Sequence, residues 1–155
     1  MWFYHKLDNI PDYETITSIE QVPEGAIGFI YLIEYVDGCK YIGKKNLYSK
    51  RTIAATKSDK PRKNTIDRIY KNTGKGFRQA YDVVLKESDW LAYKGSHREC
   101  AIRIVKEKHI LQFAYSKAEL TYLEAKYLFS NSVLESSKFL NDNILGSFFR
   151  NNIHG

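Results

Sequence analysis

The sequence predicts an α+β fold: a small antiparallel β-sheet of three core strands flanked by helices, with a basic insertion. Three stretches carry that expectation. Asp37-Gly38, a strong hairpin signal, joins two β-branched and aromatic runs, residues 28–36 and 39–43. Residues 108–115 alternate in hydrophobicity as a strand does. Ser116-x-x-Glu119 is a capping box, and it opens a helix reaching Ser130.

The remaining elements follow in order. Residues 1–27 hold five acids, one base (Lys6), Pro11 and Pro23, and read as an irregular arm or short strand. After the hairpin a short helix is expected over 46–55. Residues 56–79 read as a basic loop around a second helix at 65–71, where Ile66, Ile69 and Tyr70 fall at helical spacing. Gly74-Lys75-Gly76 lacks the rest of a phosphate-binding loop. Residues 79–86 suit a strand or a short helix, and 89–96 a turn-rich segment. The stretch 99–106 is ambiguous. In the tail, Phe139, Leu140, Phe148 and Phe149 are expected to pack on the domain. Residues 1–155 read as one domain, with 1–27 an arm and 52–97 an insertion.

Composition narrows the function. A chain of 155 residues can bury a real core. It has no apolar run of the roughly 18 residues that a membrane helix needs and no signal-peptide pattern, so a cytoplasmic protein is expected. Cys39 and Cys100, like the four histidines, form no zinc motif. Twelve tyrosines exceed what a core needs and leave some for polar or nucleic-acid contacts. The net charge of +6 is uneven: residues 40–80 hold thirteen Lys or Arg against Asp59 and Asp67, a local +11. That density favours a polyanion partner over a membrane.

Four positions could carry chemistry. Tyr31 and Tyr41 lie on paired strands and can share a face. Arg51 can grip a phosphate. Glu124 shares a helical arc with Leu120, Leu123 and Tyr127. A carboxylate there costs several kcal/mol unless paired, protonated or cation-bound. An internal salt bridge and a functional site both answer that requirement. Asn141 read alone is a turn residue.

These positions occur in a telling order: Gly28-x-Ile-Tyr31, then Tyr41-Ile-Gly43, then Arg51, a helical Glu124 and a terminal Asn141. The pattern resembles the GIY-YIG nuclease superfamily. More narrowly it resembles phage-encoded freestanding endonucleases of the Seg type, through Tyr41-Ile-Gly-Lys-Lys45, Asp89-Trp90-x-x-Tyr93-x-Gly95-Ser96, Leu120-Thr-Tyr-Leu-Glu-Ala-Lys126 and Leu140-Asn-Asp-Asn-Ile144. The chain departs in having Phe29 inside the first motif, and no second DNA-binding domain follows. Homing to a long site is therefore not expected.

The resemblance implies a metal-dependent DNA endonuclease that hydrolyses phosphodiester bonds, nicking or cutting both strands. Glu124 would ligate Mg²⁺ or Mn²⁺ and Arg51 would stabilise the phosphate. Tyr31 or Tyr41, Tyr31 being favoured, would orient or deprotonate the attacking water. Lys44, Lys45 and the metal are expected to favour the phenolate. Lys45 would help on the phosphate, and Asn141 would support the metal or Glu124. Lys44, Lys45, Lys50, Lys57, Lys60, Arg62, Lys63, Arg68, Lys75 and Arg78 would bind nucleic acid. Double-stranded DNA is the implied partner, with a homodimer as one way to cut both strands. A non-catalytic nucleic-acid-binding protein on the same fold and an RNA nuclease are the alternatives.

Overall fold

A computed structural model describes residues 1–5, 13–55, 62, 64–72, 74, 76 and 78–153. It resolves the chain into two compact units, Met1–Leu47 with Asp89–Gly155, and Tyr48–Ser88. The second unit thus starts and stops before the expected 52–97 insertion. Segment 89–97 belongs to the first unit.

The first unit is built on a five-stranded sheet. Its strands are β1 (Trp2–His5), β2 (Tyr13–Ile16), β3 (Gly28–Tyr35), β4 (Lys40–Asn46) and, far along the chain, a long strand at Val105–Ala114. That strand is β8, after β5 (Tyr48–Ala54), β6 (Thr65–Asn72) and β7 (Arg78–Glu87) of the second unit. The order is β2-β1-β8-β3-β4. The β8-β3-β4 core is antiparallel, as the sequence predicts. The N-terminal arm adds β1 parallel to β8 and β2 antiparallel to β1, so it forms strands rather than irregular chain.

Both sheet faces are covered, because both parities of β3 are apolar. Phe29, Tyr31, Ile33 and Tyr35 pack with Trp2, Trp90 and Cys100. On the other face Ile30 and Ile42 meet Leu120, Leu123 and Leu128 of helix α2 (Lys117–Ser130) and Val133 and Ile144 of the tail. Each such side chain contributes about 1.5–3 kcal/mol on burial. Ser116 caps α2 by accepting from Glu119 N–H at 3.1 Å, as the capping box predicts. Helix α1 (Arg98–Ala101) has only four residues and precedes β8.

Arg150 organises the tail. Its guanidinium donates to the carbonyls of Val133, Leu134, Ser136, Phe139 and Asn141 at 2.6–3.2 Å. Phe139 and Leu140 pack as expected. Phe148 and Phe149 stay 46% and 42% exposed, with Phe148 edge-on to Phe129.

The second unit is a three-stranded antiparallel sheet, β5-β7-β6. This corrects both expected helices, 46–55 and 65–71. Residues 48–54 pair along their whole length with β7, whose Tyr81, Val83 and Val84 favour an extended chain. In β6 the register slips between Thr65 and Asp67. The extra residue, Ile66, breaks the two-residue alternation and so imitates helical spacing.

Candidate active site

Register places the two motif tyrosines. Tyr31 stands opposite Gly43, and Tyr41 opposite Ile33. Tyr31 and Tyr41 therefore share a face as diagonal neighbours, with ring centroids 6.2 Å apart. The Tyr31 phenol lies over Gly43: a Cβ there would sit 2.5 Å from Oη and 2.7 Å from Cζ. The glycine of the second motif is thus the floor on which the tyrosine of the first one rests.

Segment 89–97 closes over the phenols. Tyr93 meets the Tyr31 ring edge-on at 5.6 Å. Ser96 Oγ shares a 2.9 Å hydrogen bond with Tyr41 Oη, and the His97 ring lies 6.3 Å from that of Tyr41. Buried Lys108 of β8 holds this segment by donating to Leu91 O and Tyr93 O, and Tyr35 Oη donates to Lys94 O at 2.6 Å. Burial lowers the Lys108 ammonium to about 8. Gly95 is required here: at φ +109° its Cβ would strike Cys100 Sγ at 2.8 Å and Tyr35 Oη at 2.9 Å. His97 Nδ1 accepts from Glu99 N–H, capping α1. That leaves the Nε2 proton for Asp142 Oδ2, 2.5 Å away.

Glu124 comes from the other side. It lies on α2, against the sheet face opposite the phenols, and its side chain is 19% exposed. Lys44 of edge strand β4 reaches it at 3.7 Å and donates to Thr121 Oγ1 at 3.1 Å. Burial raises the Glu124 carboxyl above its ordinary range, and Lys44 only partly opposes this. The salt bridge anticipated for Glu124 therefore exists, but its partner belongs to the Tyr41-Ile-Gly-Lys-Lys45 strand. Burial raises the Tyr41 phenol, and the charge of Glu124 adds a small contribution in the same direction.

Asn141 does not turn toward Glu124. Its Oδ1 accepts from Ile42 N–H at 3.2 Å and its Nδ2 donates to Ile42 O at 2.7 Å. The buried amide replaces a strand neighbour along the outer edge of β4, continuing the bridge between Lys40 and Phe139. It positions the strand between Tyr41 and Gly43. These two bonds tie its amide to the backbone of β4, and the structure records no bond from it to Glu124 among the described residues.

Burial works against the phenolate that Lys44, Lys45 and a metal are expected to favour. Burial drives Tyr31 far above a normal phenol and raises Tyr41. Lys45 is committed to Asp89 at 2.5 Å and stacks over the Tyr93 ring at 4.0 Å, while Lys44 is committed to Glu124 and Thr121. Tyr31 Oη is buried and has no hydrogen-bond partner among the described residues.

Arg51 lies in the second unit, exposed on β5 opposite Val84 and not on a helix. Arg62 and Arg68 both bind Asp82 there, each at 3.0 Å. Lys50 and Arg78 are exposed on the same sheet. Lys57, Lys60, Lys63 and Lys75 lie outside the described residues. Sequence reasoning missed Ser96, His97, Asp142 and Lys108. Ser96 and Asp142 had a signal, as members of the Asp89–Ser96 and Leu140–Ile144 stretches. His97 caps a helix too short to leave a period.

Two phenols from the adjacent strands β3 and β4 thus share one face of the sheet, and the Lys44–Glu124 pair lies at the other. The chain matches the family model described as "Putative endonuclease segE, GIY-YIG domain" over residues 12–144, and it belongs to that family. The family is one of endonucleases, which are phosphodiester hydrolases. No curated protein and no solved structure matches the chain.

Proposed function

We propose that this chain cleaves double-stranded DNA by hydrolysing phosphodiester bonds with one divalent cation held at Glu124. The observation that carries the reading is Glu124 itself. It is a largely buried carboxylate whose proton affinity burial raises, and among the described residues its cationic partner is Lys44 at 3.7 Å, on the strand that carries Tyr41. Such a group is short of positive charge. Among the described residues no three His, Cys, Asp or Glu gather into a metal cage. A single carboxylate with water and substrate phosphate fits Mg²⁺, which keeps several waters and seldom uses a cage made only of protein. Bound there, the cation supplies Lewis acidity to the phosphate.

The phenols take different roles. Tyr41 is partly exposed and its hydroxyl is held by Ser96, so it meets the attacking water. Burial raises this phenol, so its hydroxyl orients that water by hydrogen bonding, and the water's proton passes to solvent or to the phosphate as the bond forms. Tyr31, fully buried, supports Tyr41 from behind. Lys45 fixes the Tyr93 ring against Tyr31. Arg51 serves the substrate's phosphates from the second unit.

A supercoiled-plasmid assay with Mg²⁺ tests this. Wild type is expected to nick or linearise the plasmid. Glu124→Gln should be inactive, and Tyr41→Phe slower by about 10²-fold. A wild-type chain that retards the plasmid on a gel yet leaves it supercoiled ends the enzymatic reading. A Glu124→Gln variant that cuts at the wild-type rate ends the metal assignment.

A further inference from the structure

We propose that one face of the β5-β7-β6 sheet is the surface on which the second unit binds the backbone of duplex DNA, a proposal that rests on DNA being the substrate. Side chains alternate along each strand, and directly paired residues share a face. Arg51 pairs with Val84, Ile53 with Asp82, and Arg68 with Asp82. Stepping by two along β7 from Asp82 adds Arg78 and Lys86 to that face, and stepping by two along β6 from Arg68 adds Tyr70, which is 60% exposed. The opposite face holds Lys50 and Lys71 against Asp67 and Glu87.

The charge is therefore one-sided. The first face has four cations on its strands, joined by Arg62, against one carboxylate, Asp82. The other face is balanced. Asp82 is buried and engaged by both Arg62 and Arg68, so its charge is used internally. Arg51, Arg78 and Lys86 have no acidic partner among the described residues. A groove of about 280 Å³ is lined by Arg51, Arg62 and Lys86 with Ile53 and Val84 of this face, by Asn64, and by Leu85 at the strand edge. Apolar lining suits a deoxyribose and the cations suit its phosphates. Arg78 and Lys86 are eight residues apart on one extended strand, about 27 Å. That spacing approaches one turn of the duplex, about 34 Å.

Fluorescence anisotropy of the full chain with a labelled 25-base-pair duplex (about two turns), in EDTA and over a range of salt, tests the proposal. Arg51→Gln, Arg78→Gln and Lys86→Gln are each expected to weaken binding about fivefold near 0.15 M salt. Each should lower the slope of log K against log salt by about 0.9, and the triple variant by about 2.7. Lys71→Gln removes the same charge from the opposite face and should bind as wild type does. Circular dichroism on every variant separates lost contacts from lost fold. Equal weakening by Lys71→Gln, an unchanged slope in the triple variant, or polyglutamate competing as well as DNA of equal charge overturns the assignment. Because EDTA prevents metal-dependent cutting, binding through this face without plasmid cleavage counts against the catalytic reading alone. Cleavage with a triple variant that binds normally counts against this face alone.

Discussion

Replacing Gly43 with alanine probes the packing at the centre of the candidate site. The new Cβ would lie 2.5 Å from Tyr31 Oη, 2.7 Å from Cζ and 3.2 Å from Cε1. Tyr31 has little room to withdraw. It is fully buried, and the rings of Trp2, Phe29, Tyr41 and Tyr93 surround it at centroid distances of 5.9, 6.4, 6.2 and 5.6 Å. Overpacking of this kind costs about 1–3 kcal/mol. Gly43 has no positive φ, so alanine's smaller backbone entropy in the unfolded chain returns about 0.5–1 kcal/mol. The expected net loss is about 1–2 kcal/mol, read as a lower urea midpoint at unchanged slope. The Tyr31→Phe background sharpens the test. Removing Oη deletes the 2.5 Å clash but keeps the one at Cζ, so the cost of Gly43→Ala should fall by about half without vanishing. Tyr31→Phe by itself should be neutral or slightly stabilising, since the lost hydroxyl has no hydrogen-bond partner among the described residues. If Gly43→Ala is as stable as wild type, or equally costly in both backgrounds, the phenol is not wedged against the strand and the account of this motif fails.

Three further substitutions test other parts of the frame. Asn141→Asp loses the donor to Ile42 O and sets a carboxylate against that carbonyl; a loss of about 2–4 kcal/mol is expected by urea denaturation. Arg150→Lys offers three donors where the guanidinium serves five carbonyls, so about 2–3 kcal/mol should be lost, and a neutral result would remove Arg150 as the organiser of the tail. Lys108 has a folded pKa lowered to about 8 from 10.5, so above pH 8 the folded chain sheds this proton before the unfolded chain does. Its contribution to stability should therefore rise with pH from 8 toward 10.5. Lys108→Met lacks that rise, and parallel wild-type and variant curves between pH 7.5 and 9.5 would refute the assignment.

What the sequence made legible were the elements whose periodicity is undisturbed. The β3-β4 hairpin, β8 and the capped α2 each carry one pattern over their whole length, and each stands where it was expected. The second unit misled because its strands are short of apolar residues and because Ile66 is a bulge. One inserted residue moves Ile69 and Tyr70 to helical spacing from Ile66. Glu124 could be found because a carboxylate on an apolar arc is anomalous on any reading. The role of Asn141 could not be found, because a side-chain amide that replaces a strand neighbour is defined by a partner 99 residues away. Ser96 and His97 were hidden for a similar reason. Their contacts are set by Lys108 and Tyr35, which anchor segment 89–97 from β8 and β3.

The division of charge gives this arrangement a physical logic. The Tyr48–Ser88 unit holds eleven Lys or Arg and four acids, a net +7, so the rest of the chain is left at −1. The unit with the two phenols and Glu124 is therefore almost neutral. Within it Lys44 and Lys45 already face Glu124 and Asp89. If Glu124 holds a cation as proposed, a nearly neutral unit serves it better than a dense positive field, which would compete with the metal for the carboxylate. Under the proposed function, the excess positive charge of the Tyr48–Ser88 sheet serves affinity for a polyanion. The two properties should then separate in kinetics. Arg51→Gln and Lys86→Gln should raise KM and weaken its salt dependence while leaving kcat within a few-fold. Tyr41→Phe should lower kcat with KM little changed, and Glu124→Gln should abolish turnover while still binding DNA. A kcat collapse in Lys86→Gln at saturating DNA would mean that affinity and chemistry are not divided between the two units.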